Sequence, residues 1–315
     1  MQVKASWTYE TLPEFTDEVP GAHHVSATGE EVAVRLYDNV VYVTRDTGDL
    51  HLQILVPYTR ETVNATAVRK AEGLPGSGAA HPCLVYVQGS AWHEQHCLTE
   101  TPGLARIAQM GYVVAVVEYR HSGIAHFPAQ VHDAQRAAHF MVEHAAEYDV
   151  DPMKIVMGGN SSGGHTAVFS VLVPDEDGRM LTDDVPVAGV IDWYGAVGML
   201  REDGYPTTED HGLPTSPEGR VMGGNMREDH ELALRGTATT YIDESTRLPP
   251  FLIVHGTKDL LVNTVNSVDL YERLRACGHD AELYLLDGAN HGGAEFFAPQ
   301  MLAVYDAFMQ RCLAR

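Results

Sequence analysis

The stretch from Lys154 to Ser170 limits what this chain can become more than any other. An apolar run, Ile155-Val156-Met157, leads into Gly158-Gly159-Asn160-Ser161-Ser162-Gly163-Gly164 and then into a helix-compatible segment. Gly159-x-Ser161-x-Gly163 fits a strand, a sharp strained corner and a helix, with glycines where side chains would clash. Such a corner lifts the Ser161 hydroxyl out of a sheet and sets it at the positive end of the following helix. A shifted frame with Ser162 as nucleophile would need glycine at 160, where Asn160 stands.

Around this corner the chain repeats strand, loop and helix. Cys83 to Val87 reads as a short strand and Leu104 to Met110 as a short helix ended by Gly111. Tyr112 to Val117 is apolar throughout, as a strand covered on both faces of a parallel sheet requires. Val131, Ala134, Ala138, Met141, Val142 and Ala145 recur at helical spacing. Further strands are expected at Val187 to Tyr194, Phe251 to Val254 and Ala281 to Leu286, with helices at Val265 to Cys277 and about Phe296 to Leu313. Upstream, VAVRLYD, VVYVTR and LHLQILVP read as three β-rich pieces, the last two joined by a turn at Asp46-Thr47-Gly48-Asp49. Residues 58–82, rich in Ala, Gly, Thr and Pro, read as a surface loop holding at most one helical turn. The rhythm predicts an α/β fold in one domain over 1–315, a mainly parallel twisted sheet with helices on both faces. Residues 195–248 interrupt it without a strand pattern and are expected to form a lid-like or substrate-binding insertion.

A net charge of −22 over 315 residues argues against nucleic acid or an anionic membrane as partner, since both would be repelled. The first residues show no basic-then-apolar leader, and no run approaches membrane-spanning length, so a cytoplasmic protein is expected. Cys83, Cys97, Cys277 and Cys312 lack paired short spacings and read as reduced thiols. His93-Glu94-Gln95-His96-Cys97 lacks the two-residue gap that puts two imidazoles on one helical face, so no metal is expected there. An exposed apolar patch on the insertion would favour a homodimer.

A serine hydroxyl is a poor nucleophile until a base takes its proton, and that base needs a third group to fix its tautomer. Asp259 lies in His255-Gly256-Thr257-Lys258-Asp259, directly after the strand FLIV, and His291 lies in Gly288-Ala289-Asn290-His291-Gly292-Gly293 after AELYLLD. The chain order Ser161, Asp259, His291 is the order that the strand-to-helix nucleophile corner predicts. Asp192 and Asp287 are the other candidate acids, Asp287 standing too near His291 in sequence to orient it. His165, close behind the nucleophile, reads as a packed or capping side chain. With 17 histidines present, His291 rests on its loop and on the other two members. Backbone donors for a developing oxyanion are expected from Gly89 and Ser90, in Gln88-Gly89-Ser90-Ala91-Trp92, and from Ser162. Trp92, Phe127, Trp193 and Tyr194 fall at strand ends or in loops where aromatic faces could cradle an acyl group, or simply be core.

Taken together, QGSAW, EYRHSGIAHFPAQVHDAQRAAHFMVEHAAEYDVDPMKI, GNSSGGH, SPEGRVMGG, PPFLIVHGTKD and DGANHGG resemble the α/β-hydrolase superfamily. Within it they resemble the esterase and lipase branch that includes bacterial feruloyl and carbohydrate esterases, over about residues 35–313. The resemblance implies nucleophile Ser161, acid Asp259, base His291, oxyanion amides in the Gln88–Ser90 loop and at Ser162, and no cofactor. QGSAW replaces the branch's more usual HGG loop and looks like the variant of cinnamoyl and feruloyl ester hydrolases, leaving open whether the Ser90 side chain also donates. The implied partner is a small-molecule hydroxycinnamate ester of a sugar or quinate-like alcohol. An acetyl-carbohydrate esterase, an arylformamidase, a peptidase or a non-catalytic receptor of the same fold are the alternatives.

Overall fold

The computed structural model describes residues 11–199 and 210–314. In chain order the elements are β1 (Ala33–Arg45), β2 (Gly48–Tyr58), α1 (Arg60–Ala71), β3 (His81–Val87), α2 (Thr101–Gln109), β4 (Val113–Val117) and α3 (Ala129–Glu143). They continue with β5 (Val150–Asn160), α4 (Ser162–Phe169), α5 (Leu181–Asp184), β6 (Val187–Trp193), α6 (Pro217–Met222) and α7 (His230–Arg235). The chain closes with β7 (Phe251–Gly256), α8 (Val265–Ala276), β8 (Ala281–Leu286) and α9 (Pro299–Leu313).

The eight strands form one sheet in the order β1-β2-β4-β3-β5-β6-β7-β8. β1 and β2 pair antiparallel, β2 meets β4 antiparallel, and every pair from β4 to β8 is parallel. β4 shows why its sequence is apolar throughout. Val113, Ala115 and Val117 enter the core shared with α3, α4 and α8, while Val114 and Val116 enter the core shared with α2 and α9. Side chains alternate across a strand, so a strand with helices on both faces has no polar side.

Two expectations upstream are corrected. VAVRLYD and VVYVTR are one strand, β1, because the break between them is a bulge at Asp38-Asn39 and not a turn. Asn39 takes a left-handed φ of 51°, donates its amide to Gln53 Oε1 at 3.0 Å, and accepts from Gln53 Nε2 at 3.1 Å. Residues 60–71, expected as loop, form the three-turn helix α1. Thr59 and Thr62 cap its first turn reciprocally, yet none of its residues is buried, so it carries no apolar stripe for a periodicity argument to find.

Of the 195–248 insertion, residues 200–209 lie outside the described residues. The described remainder carries α6 and α7, and Val197, Met199, Val221, Met222, Met226, Ala233 and Ile242 join the α3–α4–α8 core. Its helices are thus anchored to the body of the fold by buried apolar side chains. Among the described residues no helix is long and apolar enough to cross a membrane.

Candidate active site

The corner after β5 is built by close backbone approach. A Cβ at Gly163 would collide with the Val87 carbonyl, and one at Gly159 with the carbonyls of Gly163 and Val87. Between them Ser161 adopts φ 55° and ψ −126°, a conformation that only over-determined surroundings hold, and its amide donates to the Trp193 carbonyl at 2.9 Å. α4 is buried along its length while Ser161 stays half-exposed at its head.

Ser161 Oγ lies 2.8 Å from His291 Nε2, and His291 Nδ1 lies 2.7 Å from Asp259 Oδ2. An ionised carboxylate can only accept, so Nδ1 carries the proton and Nε2 presents its lone pair to the hydroxyl. The three groups come from the loops after β5, β7 and β8. The last two loops are laced together: the Lys258 amide donates to the Ala289 carbonyl at 2.9 Å, the Leu260 amide to Asn290 Oδ1 at 3.0 Å, and the Gly288 amide to Thr257 Oγ1 at 2.8 Å.

Asp259 is fully enclosed and held by four donors. Its Oδ1 accepts the amides of Leu261 and Val262 at 2.8 and 2.9 Å, and its Oδ2 accepts from His291 and, at 3.1 Å, from His255 Nε2. Burial alone would raise this carboxyl, but the hydrogen bonds from His255 and His291 outweigh it and hold it well below the usual carboxylate range. His255, which sequence reading left aside, is buried at the end of β7. Its Nε2 also lies 3.0 Å from the Val262 carbonyl, an acceptor, so Nε2 carries the proton and Nδ1 takes the Ser267 hydroxyl at 2.7 Å. Its place two residues before the Thr257-Lys258-Asp259 turn was the available signal.

A BD-FAE family profile matches residues 74–274, the greater part of the chain and the span from just before β3 to α8. The chain belongs to the BD-FAE family. Curated relatives include a probable carboxylic ester hydrolase, LipM, of Mycobacterium tuberculosis, 27% identical over 64% of this chain and 47% of its own length. A probable isoprenylcysteine alpha-carbonyl methylesterase of Arabidopsis thaliana is 27% identical over 67% of this chain and 45% of its own. The chain thus spans about half the length of the curated relatives it matches. Among solved structures, a truncated carbohydrate esterase from gut microbiota superposes with a TM-score of 0.73 at 23% identity, covering 92% of this chain and 99% of that one. Esterase Est2 of Thermogutta terrifontis gives 0.65 at 24% identity over 89% and 94%. These likenesses show the α/β-hydrolase fold.

In this BD-FAE chain the loop after β3 departs from expectation. The Gly89 amide is donated to Asn160 Oδ1 at 2.7 Å and the Ser90 amide to Ser162 Oγ at 2.9 Å, so neither is free as expected. The Ser90 hydroxyl is also committed, donating to the His93 carbonyl at 2.6 Å. One residue further, Ala91 and Trp92 both take left-handed φ values, 53° and 54°; among the described residues the Ala91 amide has no acceptor, while the Trp92 backbone hydrogen-bonds the Tyr119 hydroxyl. The Ser162 amide, in the first turn of α4, has none either. Among the described residues the free donors therefore sit at Ala91 and Ser162. The physical reason is Asn160: its Oδ1 takes Gly89 while its Nδ2 donates to the Tyr194 hydroxyl at 3.2 Å, locking the loop to the corner.

The four aromatics divide. Trp193 is core, edge-on to Tyr86 and Tyr305 in the cluster shared with α9, so its expected place against an acyl group is corrected. Tyr194 packs its ring 4.8 Å from the His291 ring and 4.6 Å from Phe296, steadying the imidazole. Trp92 and Phe127 are buried around His165, with ring centroids 5.3 and 5.8 Å from it, and Phe169 completes the cluster. His165 is a packed side chain, as expected: burial pushes it down to about 3 against the opposing hydrogen bond to the Gly236 carbonyl, so it stays neutral. Asp192 is wholly buried between Gly164 and Gly195, where its Oδ1 accepts the Gly195 amide at 2.9 Å. Asp287 is exposed.

Proposed function

We propose that this chain is a serine carboxylic-ester hydrolase working through an acyl-enzyme. The observation that carries the reading is the continuous line from Asp259 through His291 to Ser161, with contacts of 2.7 and 2.8 Å. Ser161 Oγ attacks the ester carbonyl carbon as its proton passes to His291 Nε2, and the C=O electrons move onto oxygen. The amides of Ser162 and Ala91 receive that oxyanion. As it collapses, the carbon–alkoxy bond breaks and Nε2 returns the proton to the departing alcohol. Water then repeats the sequence, leaving the acid and free Ser161. Asp259 stays ionised throughout and holds the imidazolium.

A hydroxycinnamate ester is the favoured substrate, on the strength of the QGSAW loop. The reading includes a cytoplasmic enzyme needing no nucleic acid, membrane or cofactor. A fluorophosphonate probe should label the wild type and leave Ser161→Ala unlabelled; equal labelling of both would end the mechanism. A panel of aryl, acetyl, methyl and hydroxycinnamoyl esters sets the substrate class, and turnover of acetyl esters at or above that of hydroxycinnamates would replace it with an acetylesterase.

A further inference from the structure

Tyr119 lies two residues past the end of β4, in Glu118-Tyr119-Arg120. Its ring is buried, and its hydroxyl meets three partners: Ser90 Oγ at 3.0 Å, Ser162 Oγ at 3.2 Å and the Trp92 backbone. The backbone beneath the ring is fixed as well. The Tyr119 amide donates to Oε1 of the buried Gln95 at 2.8 Å, and Gln95 Nε2 donates to the carbonyls of Gln88 and Val117 at 2.7 and 3.1 Å.

Counting hydrogens gives this cluster one direction. Ser90 donates its hydroxyl hydrogen to the His93 carbonyl, so in its contact with Tyr119 it can only accept. Tyr119 therefore donates to Ser90, and its oxygen is left to accept from the Ser162 hydroxyl and from the Trp92 amide. Burial lifts the phenol to about 12, so the hydrogen stays in place at neutral pH. The partners of that one oxygen flank or carry both oxyanion donors. Ser90 and Trp92 stand on either side of Ala91, and the third partner is the side chain of Ser162. Ala91 and Trp92 hold left-handed φ values, which persist only where the surroundings over-determine them. The Ser90 amide on Ser162 Oγ fixes the near end of that pair. At the far end the Trp92 amide finds no backbone carbonyl among the described residues, and the Tyr119 hydroxyl takes it.

We infer that Tyr119 is a positioning residue, whose hydroxyl holds the amides of Ala91 and Ser162 at the spacing that a tetrahedral oxyanion needs. The inference rests on the esterase reading and adds to it a residue outside the reacting groups. An aryl trifluoromethyl ketone tests it: Ser161 Oγ bonds to the ketone carbon, the hydroxyl proton passes to His291, and the C=O pair becomes an oxyanion with no leaving group to expel. Tyr119→Phe should lower kcat for p-nitrophenyl acetate about thirtyfold with KM within about twofold, and raise the Ki of the ketone by the same factor. The acid limb of the kcat/KM profile, set by His291, should stay where it is. A purely structural role would lower Tm and leave kcat and Ki per folded molecule unchanged, which would overturn the inference, as would a KM rise as large as the kcat loss. Ser90→Ala removes the acceptor of the same hydrogen and should raise Ki about fivefold, and the double variant should be no worse than Tyr119→Phe alone. Additive losses would count against the shared hydroxyl, and if Tyr119→Phe does not fold, an unchanged Ki in Ser90→Ala is the overturning result. A wild type that neither takes fluorophosphonate nor turns over any ester would strike the esterase reading, whereas an active wild type with an unaltered Tyr119→Phe strikes this inference alone.

Discussion

Asp259 and His255 show how much of a reactive constellation is spent on holding one carboxylate still. Two imidazoles converge on Asp259 Oδ2, and only one of them reaches Ser161. Asp259→Asn keeps the shape but offers an amide donor to a nitrogen that must itself donate, so kcat should fall by about 10⁴-fold in a steady-state ester assay. His255→Gln removes an orienting contact alone, and kcat should drop by about 10²-fold with KM little changed. A KM rise as large as the kcat loss would mean that His255 supports substrate binding instead. Asp192 gives a pH prediction. Burial raises its carboxyl to about 7, against the single opposing amide of Gly195. A raised acid binds its proton more tightly when folded, so its contribution to stability is complete below the unfolded value of 3.8 and is lost as pH climbs through 7. Asp192→Asn should therefore flatten the fall in Tm across that window, which melting curves at stepped pH would show.

Among the elements, the β5–α4 corner is the least tolerant. Gly163→Ala would drive a methyl group into the Val87 carbonyl and toward the Gln88 backbone, pushing apart the corner and the loop that carries the free amides. Chemical denaturation should show a loss of about 3 kcal/mol, with activity gone in the folded fraction. α1 is the opposite case. Thr59→Ala removes its cap, worth about 1 kcal/mol locally, but α1 buries nothing, so hydrogen exchange should quicken over 60–71 while global Tm hardly moves.

For the whole molecule, one sheet carries all three loops that meet at Ser161, and the described part of the insertion shares its main core. Calorimetry should therefore give one transition, coincident with loss of ester turnover, and a separate early transition would mark the insertion as its own unit.

What the sequence alone determined was local or periodic. The double-sided apolar run at 112–117, the helical spacing of 131–145 and the glycines flanking Ser161 each carry their own geometric requirement, and they suffice for strand order of appearance, the corner and the three loop residues. Only tertiary structure decided where backbone donors go. Gly89 and Ser90 lost their amides to Asn160 and Ser162, residues some seventy positions away, and no local pattern encodes that pairing. The same holds for Trp193, which turns to the α9 face because strand parity sends it there, and for His255, whose second grip on Asp259 exists only once β7 is laid beside its neighbours. Periodicity reports which side of an element is apolar; which polar group answers which is settled by packing.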